Sequence, residues 1–190
     1  MKIGILDCGG SNLNSIKFSL DRLGIDSITS NDACQLERTD KLIIPGFGAS
    51  DIVMKKLSEN SLDVLLKTFK KPILGICVGM QVLFEYSQEG DTSCLGLLKG
   101  KVEKLNEAYK YPIPHMGWNY VNSKHKDICG YYYYANSYGV ISSENEIAST
   151  EYVNTISAVV KKNNLYGCQF HPEKSSLAGL NFINFFINNS

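Results

Sequence analysis

The sequence has no excess of charge of either sign, because nineteen Lys and Arg residues balance nineteen Asp and Glu residues. It has no basic run that would form a stripe against a phosphate backbone, so we expect no nucleic-acid partner. It also has no apolar stretch long enough for a membrane-spanning helix, and Asp7 interrupts the apolar start of the chain, which argues against a signal peptide. The composition therefore predicts neither nucleic-acid binding nor membrane insertion.

Metal-binding and disulfide patterns are scarce as well. The chain has three His residues, none at metal-ligand spacing from a Cys or another His, so we expect no metal site. Its six Cys residues are scattered and include no C-x-x-C pair. That usage predicts reduced thiols in a cytoplasmic protein and not a disulfide framework.

The length and the hydrophobic patterns predict one α/β domain covering residues 1–190. In the first half, short apolar runs alternate with helical spacing. Strands are predicted at Lys2–Leu6, Ile25–Thr29, Lys41–Ile44 and Ile73–Ile76, and helices at Asn12–Leu23, Asp51–Phe69 and Met80–Tyr86. This alternation predicts a mainly parallel central sheet flanked by helices.

The second half contains short β-type runs separated by Gly, Asn and Ser turns, followed by a last helix at Leu177–Ile187. The runs are Val102–Leu105, Asn119–Val121, Tyr131–Ala135, Gly139–Ile141, Ile156–Lys161 and Leu165–Phe170. We expect them to form an antiparallel β extension of the sheet. Within Tyr131–Tyr134, successive rings should face opposite sides of a strand.

Cys77 lies in Gly75-Ile-Cys-Val-Gly79, between a predicted buried strand and a predicted helix. This is the G-x-nucleophile-x-G pattern of a strand-to-helix elbow, in which crowded backbone requires the flanking glycines. The following helix should direct its positive end at the sulfur and favour the thiolate, and the Val78 amide could donate to an oxyanion. A structural Cys in an α/β turn is the alternative, and the pentapeptide alone does not decide between the two.

His171-Pro172-Glu173 follows the last predicted strand. In an extended segment, which Pro172 should maintain, residues two apart face the same side, so Glu173 could hold the His171 ring in one tautomer. The alternative is a surface His paired with Glu by chance. An elbow Cys at the end of another strand weakens that alternative, because α/β active sites gather at such ends.

Three further segments are weaker signals. Pro45–Ala49 is a Gly-rich turn after a strand; it could supply a second oxyanion donor near Cys77, although alone it would be a plain turn. Cys8–Asn12 lacks the spacing of a phosphate loop and indicates a tight turn. His115 has no carboxylate near it in sequence, so a structural or interfacial role is favoured over that of a base.

Taken together, these motifs resemble the class I (triad) glutamine amidotransferases. The resemblance extends over nearly the whole chain in order, and five stretches carry it: Pro45–Ala49, Gly75–Glu85, Ile113–Asn119, Asn136–Tyr138 and Gly167–Leu180. The P-H-M-G-W-N and H-P-E-K-S runs within them are similar to the glutaminase subunits of imidazole glycerol phosphate synthases of histidine biosynthesis in particular.

The resemblance implies a role for each matching residue, and it implies no cofactor. Cys77 would be the nucleophile, His171 the general acid/base and Glu173 the residue that orients it. The oxyanion hole would use Phe47, Gly48 and Val78, and L-glutamine would be bound by Gly48, Gln81, Glu89, Ser137 and Tyr138. The partner would be a cyclase of (β/α)₈-barrel type in a heterodimer, contacted by Asn12, Trp118, Tyr138 and Lys174.

The chain departs from the family pattern at two places. Cys8–Asn12 stands where the family usually shows Y-G-x-G-N, and Asn136 stands where it usually has His. Both lie on the side expected to face the synthase, so a paralogous subunit that feeds ammonia to a nucleotide-sugar or surface-glycan amination enzyme stays open. A free-standing cysteine hydrolase and a non-enzymatic subunit with an inert cysteine stay open as well.

Overall fold

The computed structural model describes residues 1–9, 13–46, 48–108 and 110–190. Its helices are α1 (Leu13–Arg22), α2 (Ala33–Glu37), α3 (Ser50–Glu59), α4 (Leu62–Thr68), α5 (Val78–Gln81) and α6 (Ser176–Asn189), with short 3₁₀ helices at Lys126–Ile128 and Pro172–Lys174. Its strands are β1 (Lys2–Leu6), β2 (Asp26–Ser30), β3 (Lys41–Ile44), β4 (Ile73–Ile76), β5 (Tyr86–Ser87), β6 (Thr92–Ser93), β7 (Lys101–Lys104), β8 (His115–Ser123), β9 (Gly130–Asn136), β10 (Tyr138–Gly139), β11 (Glu146–Glu151), β12 (Thr155–Lys162) and β13 (Leu165–Cys168).

The central sheet has nine strands in the order β2-β1-β3-β4-β13-β12-β11-β8-β9. The first five are parallel, and every pairing from β13 to β9 is antiparallel. Strands β3 and β4 are buried along their whole length, as is typical of parallel strands covered on both faces. The prediction of an α/β fold with an antiparallel extension is confirmed.

Aromatic packing holds α6 against the sheet near the end of β13. The Phe170 ring stacks on Tyr132 of β9 with centroids 3.9 Å apart and meets Phe182 of α6 edge-on at 5.0 Å. All three rings are fully buried. Since Phe170 directly precedes His171, this cluster fixes the backbone that presents the imidazole.

Two predicted helices are wrong in their bounds. Asp51–Phe69 is not one helix but α3 and α4, because Ser61 adopts a left-handed conformation with φ of 55° that interrupts the helical backbone. Met80–Tyr86 is also not a helix: α5 is one turn long and ends at Gln81, and Tyr86 begins strand β5.

Strand β11 was not predicted. Strands β7 and β10 were predicted, as Val102–Leu105 and Gly139–Ile141, but their placement in the extension of the central sheet is wrong, because they belong to a second sheet in the order β10-β7-β5-β6. The second sheet places the β10 backbone at Tyr138 beside Gln81 of α5. Among the described residues, no helix has both the length and the apolar character needed to cross a bilayer.

Candidate active site

Cys77 occupies a strained elbow between β4 and α5. Its φ of 52° and ψ of −114° are unusual for a residue with a side chain, and such backbone costs on the order of 1–3 kcal/mol. The surrounding structure enforces it: the Cys77 N–H donates to the Cys168 carbonyl at 2.7 Å. A Cβ built on Gly46 would lie 2.6 Å from the Cys77 Cβ, so only glycine lets the turn after β3 approach this closely.

The one-turn length of α5 changes the expected electrostatics. A helix of four residues contributes little of the cumulative dipole predicted to act on the sulfur. Val78 is its first residue, where a backbone N–H has no acceptor within the helix. Stabilisation of charge at Cys77 therefore depends mainly on individual hydrogen-bond donors.

His171 and Glu173 form a buried pair. The Nδ1 atom of His171 lies 2.8 Å from Oε1 of Glu173, and both side chains are almost completely buried. Glu173 reaches the ring from a 3₁₀ turn at Pro172–Lys174, and not by strand alternation as predicted. Because Nδ1 faces the carboxylate, Nε2 is left for the sulfur side of the ring.

The pKa of His171 reflects two opposed influences. Burial lowers it, but hydrogen bonds from the ring to Cys77 and Glu173, together with the charges of these groups, outweigh burial and raise the pKa of His171 to about 10. Since Cys77 is among the groups that raise this pKa, its sulfur lies close to the imidazole. An imidazolium at this position can hold a thiolate and later donate a proton.

A cavity of about 220 Å³ opens beside the sulfur. Its lining is Gly48, Cys77, Val78, Gln81, Glu89, Pro114, Met116, Ala135, Asn136, Ser137 and Tyr138. Every residue expected to bind glutamine lies in this lining, together with two of the three expected oxyanion residues; the third, Phe47, lies outside the described residues. The volume is below the roughly 300–1,000 Å³ of drug-sized pockets and suits a single amino acid.

Glu89 supplies the negative charge of the cavity. Its Oε2 accepts a hydrogen bond from the Ser50 N–H at 3.2 Å. Burial raises the pKa of Glu89, Asp51 raises it further by charge, and the Ser50 hydrogen bond opposes both. The bond also connects this carboxylate to the first residue of α3, just after the turn that contains Gly48.

Gln169 is a site residue that the sequence interpretation missed. It is fully buried, its Nε2 lies 3.6 Å from the Cys77 sulfur, and its Oε1 accepts from Nε2 of Gln81 at 3.0 Å. The available signal was its place two residues before His171, which puts both side chains on the same side of an extended segment.

Two other buried cysteines, Cys8 and Cys168, and a cavity larger than the one beside Cys77 lack this arrangement. Burial raises the pKa of Cys8 to about 11 and that of Cys168 well above its ordinary value, which keeps both as inert thiols at neutral pH. A larger cavity of about 490 Å³ lies between β8 and β11 and includes His125. Its lining contains no cysteine, so its size does not make it the catalytic site.

Two of the predicted partner contacts share one surface. Trp118 is 55% exposed and Lys174 is also exposed. Both contact Tyr133: the Trp118 ring meets it edge-on at 6.3 Å, and Lys174 Nζ lies 5.9 Å from its centroid. Tyr138 lines the cavity instead, and Asn12 lies outside the described residues.

His115 and Asn136, both singled out in the sequence, are buried, and Asn136 lines the cavity. His115 stacks on Tyr152 at 3.8 Å and on Tyr134 at 4.6 Å, and burial lowers its pKa to about 4, which suits a neutral structural ring. Asn136 donates through Nδ2 to the Tyr138 carbonyl at 3.0 Å. Asn136 therefore makes a polar contact with the segment that lines the cavity.

A family model described as "Glutamine amidotransferase class-I" matches residues 4–188. "Imidazole glycerol phosphate synthase subunit HisH" of Pasteurella multocida is 39% identical, with 98% of each chain covered. "Imidazole glycerol phosphate synthase subunit HisH 2" of Campylobacter jejuni is 44% identical, again with 98% of each chain covered. A crystal structure of a glutamine amidotransferase shares the fold, with a TM-score of 0.78, 19% identity and coverage of 97% of this chain and 96% of the other.

Proposed function

The chain belongs to the class I glutamine amidotransferases, and from this premise we propose that it is the glutaminase subunit of an imidazole glycerol phosphate synthase. It hydrolyses L-glutamine and passes the ammonia to a cyclase subunit in histidine biosynthesis, in the cytoplasm, with residues 1–190 as one glutaminase domain. The observation that carries the proposal is the buried His171–Glu173 pair close to the Cys77 sulfur, which lines a cavity sized for an amino acid.

The first half-reaction forms a thioester. The Cys77 thiolate attacks the side-chain amide carbon of glutamine, and the oxyanion is stabilised by backbone N–H groups at Val78 and at the Phe47–Gly48 turn. His171, held as imidazolium by Glu173, donates its Nε2 proton to the nitrogen as the C–N bond breaks. Ammonia leaves, and a glutamyl thioester remains on Cys77.

The second half-reaction restores the enzyme. Neutral His171 takes a proton from water, whose oxygen attacks the thioester carbon. The C–S bond breaks, glutamate leaves, and the thiolate–imidazolium pair forms again. Glu173 remains beside Nδ1 and keeps the ring oriented.

The cavity explains selection for an amino acid head group. Gln81 and the Glu89 carboxylate provide acceptors for the α-ammonium group. Gly48, Ser137 and Tyr138 line the same space, and their backbone N–H groups are the proposed donors to the α-carboxylate. A peptidase would need an open groove for its chain, and the volume of about 220 Å³ opposes that alternative.

The partner is a (β/α)₈-barrel cyclase in a heterodimer. The cavity beside Cys77 accounts for glutamine but provides no second space for an acceptor, and ammonia released into water at neutral pH would be protonated and lost as a nucleophile. A docked synthase that receives ammonia directly solves this problem. Trp118 and Lys174, with Tyr138 and Asn12, are the proposed contacts. A sugar-amination partner is the second candidate, favoured only by Asn136 and the Cys8–Asn12 segment.

The test compares two nitrogen sources in the assembled complex. Cys77→Ala should lower glutamine-dependent synthesis at least about a thousandfold, because no thioester can form. Synthesis from ammonium salts should stay near the wild-type rate, because the cyclase is untouched. Product formation with each nitrogen source, measured by chromatography, checks both outcomes.

Cys34→Ala is the matched control, since Cys34 is an exposed cysteine away from the site; both activities should persist. Glutamine use at the normal rate by Cys77→Ala would contradict the proposal. Full glutamine hydrolysis by the chain without any partner would favour the free-standing hydrolase, and a complex active only with an amino-sugar precursor would favour the second candidate.

A further inference from the structure

Two buried amide side chains connect the substrate cavity to the nucleophile. Gln81 and Gln169 are both almost completely buried. Gln81 Nε2 donates to the Tyr138 carbonyl at 2.9 Å and to Gln169 Oε1 at 3.0 Å, and Gln169 Nε2 donates to the Cys77 sulfur at 3.6 Å. Buried amides are costly unless they are hydrogen-bonded, so these contacts define the pair's arrangement.

The Tyr138 carbonyl fixes the orientation of both amide groups. A backbone carbonyl can only accept, so Gln81 must present its NH₂ group to it. The second N–H of that group requires an acceptor, so Gln169 must present its oxygen to Gln81. Gln169 therefore presents its NH₂ group to Cys77. Turning Gln81 over would set its oxygen against two acceptors, and turning Gln169 over would set its NH₂ group against the NH₂ group of Gln81.

The sulfur consequently faces an N–H donor in addition to His171. A hydrogen bond donated to an ionisable group favours its charged form, and bonds to charged groups are stronger than neutral ones. The one-turn α5 helix contributes little dipole to this task. Gln169 is thus the side-chain amide positioned to stabilise the thiolate.

Gln81, which is farther from the sulfur than Gln169 in this series of hydrogen bonds, faces the proposed position of the substrate. Gln81 lines the cavity, and its Oε1 has no hydrogen-bond donor among the described residues. The Glu89 carboxylate lines the same cavity. A buried acceptor near a carboxylate suits a cationic group, which under the proposed function is the α-ammonium of glutamine.

We propose that Gln169 is a catalytic residue that stabilises the Cys77 thiolate through its amide N–H, and that Gln81 fixes the direction of this donor while binding the substrate head group. The head-group part rests on the proposed function; the bond to sulfur does not. Hydrogen bonds in series polarise one another. An ammonium on Gln81 Oε1 therefore strengthens the donation from Gln81 to Gln169 and from Gln169 to sulfur.

The test follows the rate at which iodoacetamide alkylates Cys77 between pH 5 and 10, with the adduct located by mass spectrometry. This reagent has no amino acid head group, so the rate reports thiolate formation and not substrate binding. Gln169→Leu should move the midpoint of the pH profile upward by about one unit, a tenfold smaller thiolate population below the midpoint. Gln81→Leu should shift it in the same direction by less, because the Gln169 amide loses its fixed orientation.

Gln169→Glu provides a second variant if the Leu variant does not fold. It keeps the side-chain volume and an acceptor for Gln81 but replaces the donor with a negative charge, so its midpoint should rise further. Asn164→Leu is the control, because Asn164 also holds backbone carbonyls through its amide but lies away from Cys77. It should leave the profile unchanged.

Folded Gln169→Leu or Gln169→Glu protein with the wild-type profile would overturn the role of Gln169. A wild-type profile for folded Gln81→Leu would overturn the role of Gln81. In the assembled complex, Gln169→Leu should lower kcat for glutamine at least about tenfold with a smaller change in KM. A wild-type complex that fails to hydrolyse glutamine would refute the proposed function while leaving the alkylation result valid.

Discussion

At the scale of single residues, neighbouring groups stabilise the positive charge of His171. Their effect on its pKa is opposite to that of burial and larger. Desolvation alone would favour the neutral ring, yet contacts with Cys77 and Glu173 raise the pKa to about 10. The ordinary value for a histidine is near 6.5. The group therefore binds its proton more tightly in the folded protein than in the unfolded chain.

The sign of the resulting pH dependence follows from linkage. A raised folded-state pKa gives stability that is fully present below about pH 6.5 and is lost as the pH rises towards about 10. The free energy of unfolding of the wild type relative to His171→Gln should therefore decrease across that window. Urea unfolding at several pH values measures it, and a difference that stays constant or grows would contradict the pair described for His171.

The sequence predicts the triad better than it predicts Gln169. Cys77 and His171 each lie in a short motif that can be recognised from the sequence. The glycines beside Cys77 permit the tight elbow, and the proline after His171 keeps its segment extended. The role of Gln169 depends on which way its amide is turned, and the Tyr138 carbonyl sets this through Gln81. No local sequence pattern predicts this amide orientation, because a residue of a distant strand determines it.

At the scale of elements, the elbow depends on close approach between the β3 end and α5. A Cβ on Gly79 would lie 2.1 Å from the Ile44 carbonyl oxygen and 3.1 Å from that of Pro45. Both contacts are backbone, which cannot move aside as a flexible side chain can. The glycine is thus required where the turn after β3 meets the turn that carries the nucleophile.

Gly79→Ala should accordingly destabilise the fold by about 3 kcal/mol, the upper part of the range for overpacked sites. Gly139→Ala is the matched control, because its added Cβ would meet only side-chain atoms, the nearest being Ile156 Cγ2 at 3.3 Å. Its cost should be clearly smaller. Equal unfolding free energies for the two variants in urea would show that the elbow is less crowded than described.

The strands predicted well are those whose residues are buried almost without interruption. A strand that depends only on hydrogen bonds to its neighbours was missed. Strands β1, β3 and β4 match their predicted bounds, because parallel strands covered on both faces appear as unbroken apolar runs. Strand β11 was missed since Glu-Ile-Ala-Ser-Thr-Glu is largely polar and owes its conformation to β8 and β12 on either side. The break at Ser61 likewise lacked a Gly or Pro to announce it.

At the scale of the whole molecule, the proposed partner surface and the triad share one backbone connection. The His171 N–H donates to the Tyr133 carbonyl at 2.8 Å, and Ser175 Oγ bridges the Tyr133 N–H and the His171 carbonyl at 2.9 and 2.6 Å. The Tyr133 ring contacts Trp118 and Lys174 on the outer face. A partner bound at this proposed surface would therefore act on the segment that presents the imidazole.

The role of Cys77 as the nucleophile is tested most directly by labelling the assembled complex with an electrophilic amino acid of glutamine's length. Mass spectrometry then locates the adduct. We expect one adduct per chain, on Cys77, prevented by excess glutamine and absent from Cys77→Ala. An adduct on another cysteine with Cys77 unmodified, or glutamine hydrolysis that continues after Cys77 is fully blocked, would contradict it.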